Sequence, residues 1–169
     1  YYGVRSSLIS VRAQDADPEI DAIVGNPGPI VTVPEPGSLA LLGFGLAALS
    51  GRGVDIHLHD RGEVGIAQIE QIAEFTAASG IKGRVMISHA YCLGMTTPAR
   101  LESVGRRLAD LGISLMTSAP ADTTVPPVAG LRAMGVNICC GSDGIRDAWS
   151  PMGNGDMLER AMLLAYRFD

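Results

Sequence analysis

The stretch "GVDIHLHD", Gly53 to Asp60, is a short apolar run that passes without a break into polar residues. The same pattern recurs downstream in "GRVMISHA" (Gly83 to Ala90), "ISLMTSAP" (Ile113 to Pro120) and "VNICCGSD" (Val136 to Asp143). Each reads as a strand of branched and apolar residues with a polar exit. Helical periods fill the gaps. Ile66, Ile69, Ile72, Ala73 and Thr76 mark one face of a helix that ends at Gly80. Leu101, Val104, Leu108 and Leu111 mark a second, with Thr97-Pro98 as N-cap and first helical residue and Gly112 as its stop. Val128, Leu131 and Met134 give a short third helix closed by Gly135, and Asn154 is placed to cap a last one from Gly155 to about Tyr166. Strand and helix thus alternate four times at a repeat of roughly 25 to 32 residues, the spacing of βαβ units in a parallel sheet.

Upstream the composition changes. Residues 1–38 carry scattered Gly and Pro, as in "GNPGPIVTVPEPGS", without a sustained period, and are expected to pack poorly, with Leu8 to Val11 a short strand. The apolar run "LALLGFGLAAL", Leu39 to Leu49, falls short of the roughly 20 residues that span a bilayer and reads as a buried helix segment or a short anchor. The chain therefore divides into an irregular 1–52 and a patterned 53–169. Of its 169 residues 47% are apolar and 18% charged, enough to bury a core. The net charge of −5 argues against a nucleic-acid groove. Three cysteines, two of them adjacent (Cys139, Cys140), make no disulfide framework and fit a reducing compartment. Tyr1 to Glu19 lacks a basic start followed by an apolar core, so no secretory signal is expected there; the expected location is cytoplasmic. The sole lysine, Lys82, sits in a turn before a strand, at the rim opposite the polar exits, and reads as a solvated charge.

Polar residues gather immediately after each strand: His57, His59 and Asp60; Ser88 and His89; Thr117 and Ser118; Ser142 and Asp143. Strand C-termini of a parallel barrel or open α/β sheet share one side, so these side chains converge. Imidazole plus carboxylate suits zinc or another divalent first-row ion, which lowers the pKa of bound water toward neutrality. His89 is placed to hold or deprotonate that water, and Asp60 to shuttle a proton to a leaving group. Taken singly, a strand-end His is more often a hydrogen-bonded structural residue, and Asp143 alone reads equally well as a loop anchor. Their joint occurrence at equivalent ends of three βα units favours the metal reading. Cys139 and Cys140, in a strand with Val and Ile, read as core rather than ligands. Trp149 either lines a pocket or packs.

These motifs, in this order, resemble the amidohydrolase superfamily, in particular cytosine-deaminase-like members, over Gly53 to Asp169: "VDIHLHD", "GRVMISHAYCLG", "LADLGISLMTS" and "GVNICCGSDGIRDAWSPMGNGDML". The resemblance implies the C-terminal half, about strands 5 to 8, of a (β/α)₈ metal-dependent hydrolase acting on a C–N bond of a ring amidine or amide. It implies one divalent ion, zinc or iron, held by His57 and Asp143. Asp60 would stand where the family usually has a proton-shuttling glutamate, His89 would meet the attacking water, Asp143 would also serve as base, and Trp149 would line the substrate pocket. The 32-residue step from His57 to His89 fits neighbouring strands five and six, not the family's first-strand His-x-His pair. That pair is absent, since no histidine precedes Gly53. Gly144 follows Asp143 where cytosine deaminases tend to have a second acid, which puts cytosine itself in doubt.

Val33 to Arg52, "VPEPGSLALLGFGLAALSGR", resembles instead a PEP-CTERM sorting signal, with a Pro-Glu-Pro, an apolar stretch and a basic end. The competing reading is therefore a non-enzymatic exported or surface-anchored protein. A third is a complete small α/β binding domain. The hydrolase reading expects a small ring substrate, no nucleic-acid partner and no stable membrane span. Four parallel strands with open edges leave an apolar face to be covered by self-association into a homo-oligomer, by docking of Leu39–Leu49 or by aggregation, and self-association or aggregation is the expectation.

Overall fold

The computed structural model describes residues 8–12, 36–146, 148 and 153–168. Its centre is a sheet of five strands, β1 (Leu8–Arg12), β2 (Gly53–Leu58), β3 (Val85–His89), β4 (Ser114–Thr117) and β5 (Ile138–Cys140), in that spatial order. Every neighbouring pair is parallel. Among the described residues the strand order does not reverse, and sequential parallel strands are what a barrel segment presents.

Alternation along β2 sets the two faces of the sheet. Val54, Ile56 and Leu58 are buried, while Asp55 and His57 are only half-buried on the other side. The helices cover the apolar face. In α2 (Gly62–Ala78) the buried residues include the predicted Ile66, Ile69, Ile72, Ala73 and Thr76. In α3 (Pro98–Leu111) they are Val104, Gly105, Leu108 and Leu111. Each such Leu or Ile contributes about 1.5–3 kcal/mol by leaving water. Thr97 caps α3 as read, its Oγ1 accepting from the Arg100 N–H at 3.3 Å, and Gly112 ends it in the left-handed region at φ 62°. The short α4 (Val128–Ala133) buries Leu131.

Three expectations need correction. The sheet has five strands rather than four, because Leu8–Arg12 pairs in register with Gly53–His57. The expected irregularity of 1–38 therefore fails at β1 and at Pro36–Ser38, which open α1 (Pro36–Ser50); residues 1–7 and 13–35 lie outside the described residues. The last helix, α5 (Met157–Phe168), is capped by Asp156, whose Oδ1 accepts from the N–H groups of Leu158 and Glu159 at 2.8 and 3.2 Å. Asn154 instead accepts from the Asp156 N–H.

The apolar run 39–49 lies within α1, which packs onto β1, β2 and α2. Phe44 and Ala47 are fully buried, and the Phe44 ring meets Phe75 of α2 at 5.7 Å in a tilted pair. Leu42, Leu46 and Leu49 face outward. No helix of the described residues is long and apolar enough to cross a membrane. The boundary drawn after residue 52 thus falls between α1 and β2, two elements of one core. If α1 is part of that core, Phe44→Ala lowers stability by about 3 kcal/mol, read as a drop in the urea midpoint; an unchanged midpoint would show that α1 is dispensable to the fold.

Candidate metal centre

All three histidines of the chain meet at the C-terminal ends of β2 and β3. The pairing of His57 with Ser88 and of Leu58 with His89 brings the two strand ends level. A hydrogen bond from the Ala90 N–H to the Leu58 carbonyl, at 3.1 Å, ties them together. Strand alternation alone would send His89 to the same side as the buried Val85 and Ile87. Its backbone leaves the strand geometry, with φ 73° at His89 and 47° at Ala90, and the imidazole comes to His57. Ala119 and Asp143, after β4 and β5, also have positive φ. Each such residue costs on the order of 1–3 kcal/mol, and here the cost falls at the strand exits.

Two imidazole nitrogens face one another. His57 Nδ1 and His89 Nε2 are 3.2 Å apart. The outer nitrogen of each ring has its own neighbour. His57 Nε2 lies 3.8 Å from Asp55 Oδ2, and Ser88 Oγ donates to Asp55 Oδ1 at 3.0 Å. His89 Nδ1 shares a hydrogen bond with the Tyr91 hydroxyl at 3.2 Å. Of the two, the Tyr91 hydroxyl is within hydrogen-bond distance, and an outer partner of that kind fixes ring orientation and tautomer in metal-binding histidines. Asp143 stands on the open side, its Oδ2 3.7 Å from His89 Nε2. The His59 ring, exposed, lies 4.3 Å from that of His89 and stacks on Tyr91 at 5.9 Å and 18°. One ligand atom from each of His57, His59 and His89 falls within 4.8 Å of the others, so the donor set fits a divalent first-row ion.

His57, His89 and Asp143 are therefore brought together. Asp60 follows His59 and is half-buried, and among the described residues no contact places its carboxylate against His57 or His89. Trp149 lies outside the described residues. Cys139 and Cys140 are not core as expected but exposed and half-buried, because β5 is the last strand of the sheet. Partial burial raises both thiols, with Asp55 adding to the effect at Cys139. Two contributors escaped sequence reasoning: Asp55 was not singled out, and Tyr91 carried no signal until the chain turned back at Ala90.

Burial, reinforced by His59, pushes His89 down to about 4; Asp143 opposes this and His57 adds to it. Burial and the Asp143 charge push the Tyr91 phenol up. For the metal-free chain the consequence is directional. The unfolded chain gains a proton on His89 near its ordinary 6.5, whereas the folded chain gains it only near 4. Stability is therefore fully present above pH 6.5 and declines as pH falls from there toward 4. Urea midpoints measured in chelator should drop across that window and drop less in His89→Gln; identical profiles would contradict the burial of a neutral His89.

Residues 44–167 match the amidohydrolase family, and the chain belongs to it. Residues 32–53 match the PEP-CTERM protein-sorting motif. The N-isopropylammelide isopropyl amidohydrolase of Pseudomonas sp. (strain ADP) is 38% identical over 133 residues, which are 79% of this chain and 33% of that protein. Among solved structures, N-isopropylammelide isopropylaminohydrolase from Burkholderia multivorans ATCC 17616 superposes with a TM-score of 0.73 at 44% identity, covering 77% of this chain and 34% of that one. The 5-methylcytosine deaminase from Klebsiella pneumoniae liganded with 5-fluorocytosine gives 0.67 at 26% identity, covering 78% and 35%. The chain spans about a third of the length of these relatives. Its sheet is a segment of the amidohydrolase (β/α)₈ barrel.

Proposed function

We propose that this chain carries the C-terminal part of the active site of a metal-dependent hydrolase that cleaves a C–N bond on a nitrogen-rich ring. The observation that carries the reading is the meeting of His57, His89 and Asp143 at one end of a parallel sheet. In this reading His57 and Asp143 hold one zinc or iron ion. The ion, when bound, supplies a Lewis acid that makes water a nucleophile near neutral pH. His89 turns Nε2 toward the attacking water while Tyr91 occupies its other nitrogen. Asp143, on the open side, takes the water's proton, and Asp60 returns a proton to the departing amine. Trp149 lines the pocket for the ring.

Release of an amine from an alkylamino-substituted ring fits better than deamination of cytosine. Gly144 stands where cytosine deaminases tend to have a second acid, and both N-isopropylammelide hydrolases are more similar to this chain than the cytosine-type structure is. The sheet edges at β1 and β5 are the surfaces through which the rest of a barrel, or a second copy, would join. The match at 32–53 favours a second reading, an exported protein carrying a sorting segment, in place of a cytoplasmic one.

Complementation tests the hydrolase reading. Co-expressed with the N-terminal two-thirds of the Burkholderia relative, the chain should release isopropylamine from N-isopropylammelide, and by itself it should be nearly inactive. Asp143→Asn should cut the rate by about 10²–10⁴-fold. Full turnover in Asp143→Asn, or none in the complemented pair despite co-purification of the two pieces, would overturn the reading.

A further inference from the structure

We propose that α1 hides the sorting motif from which it is built. Once the chain has folded, the segment matched at 32–53 is closed to any partner that takes it as a free chain, so sorting and folding are exclusive fates of one molecule. The inference rests on the sorting reading of that segment and is independent of the hydrolase chemistry.

A partner that binds a segment as an extended strand needs its main-chain hydrogen-bonding groups and its alternate side chains. In α1 the backbone is closed in helical hydrogen bonds from Pro36 to Ser50. The apolar residues of the motif run all round that helix, the pattern of a helix that is buried rather than surface-bound. Phe44 and Ala47 are 1% and 0% exposed, and the Phe44 ring meets Phe75 of α2. Only the side carrying Leu42, Leu46 and Leu49 remains in water.

The basic end of the motif is tied down as well. Arg52 donates its backbone N–H to the Ala47 carbonyl at 3.0 Å, and Gly51, at φ 68°, donates to Ala48 at 3.4 Å. This pair of bonds closes a helix C-terminus, and the left-handed residue suits glycine. Gly53 then opens β2 and pairs with Leu8 of β1. Two residues, Gly51 and Arg52, separate helix from strand, a reach of at most about 7 Å. Freeing the motif therefore breaks the closing bonds, bares Phe44 and Phe75, and pulls on the strand that carries Val54, Ile56 and Leu58 into the same core. Release of α1 is thus coupled to loss of the core, and sorting must engage the chain before α1 docks.

Proteolysis by thermolysin, which cuts before apolar residues, tests this on the full chain, with the free peptide 32–53 as the reference for an open motif. Cleavage between 36 and 50 should be far slower in the chain than in the peptide. When opening and closing are fast relative to cleavage, the rate follows the population of the open form. Its logarithm should then rise with urea at the slope of global unfolding. Leu131→Ala leaves the motif sequence intact and opens a cavity in α4, which packs on β5 at the far end of the sheet from β1. It should speed cleavage in α1 by the same factor as it raises the unfolding constant, on the order of 10²–10³-fold. If that variant does not fold, its α1 should be cut at the peptide's rate. The proposal is overturned if the parent is cut in α1 near the peptide's rate, if the cleavage is independent of urea, or if folded Leu131→Ala is cut no faster than the parent. Any of these results shows that α1 opens by itself and leaves the sorting reading of 32–53 standing.

Discussion

The parallel register of β2 with β3 is the constraint on which the site depends. Pairing Leu58 with His89 leaves the two strands ending at one level, and the hydrogen bond from Ala90 back to Leu58 locks that level. A one-residue slip would exchange the faces of every side chain on the slipped strand. His57 would turn under the helices, and Leu58 would face the site. The apolar face enforces the register, because Val54, Ile56 and Leu58 on β2 and Val85 and Ile87 on β3 are buried together. Core packing thus holds polar groups at the strand ends that would not assemble alone. The left-handed backbone at His89, Ala90, Ala119 and Asp143 is the energetic counterpart, concentrated where the strands end.

The helix α1 shows one stretch of sequence meeting two descriptions. The sorting motif covers 32–53 and the amidohydrolase match begins at 44, so the two overlap on the helix and on the start of β2. A helix outside a barrel needs one apolar stripe toward the sheet. An apolar run of sorting-signal type supplies such a stripe whichever way it faces, and Phe44 and Ala47 fill the position over β1 and β2. The cost is on the other side, where Leu42, Leu46 and Leu49 remain in water.

The βα alternation was legible because its apolar periods are regular and its stops are glycines. Ile66, Ile69 and Ile72, then Leu108 and Leu111, fell on the faces assigned to them. β1 was legible as a short strand, but its pairing was not: nothing local in Leu8–Arg12 specifies a partner far along the chain. At the site, His57, His89 and Asp143 were visible as strand-end polar residues. The outer partners were not. Asp55 acts through a hydrogen bond to Ser88 on the next strand, and Tyr91 through a turn that the left-handed residues at 89 and 90 create. Both are tertiary contacts without a local pattern. The adjacent cysteines misled for a related reason, since strand propensity cannot tell a central strand from a terminal one.

The central claim is that this chain presents imidazole nitrogens, at the ends of β2 and β3, as a ready set of ligands. X-ray absorption at the zinc edge of the zinc-loaded chain tests it most directly. The account predicts a shell of nitrogen and oxygen at about 2.0–2.1 Å with the outer-shell scattering of imidazole. A sulfur shell at about 2.3 Å, placing the ion on Cys139 and Cys140, or a shell lacking imidazole scattering would contradict it.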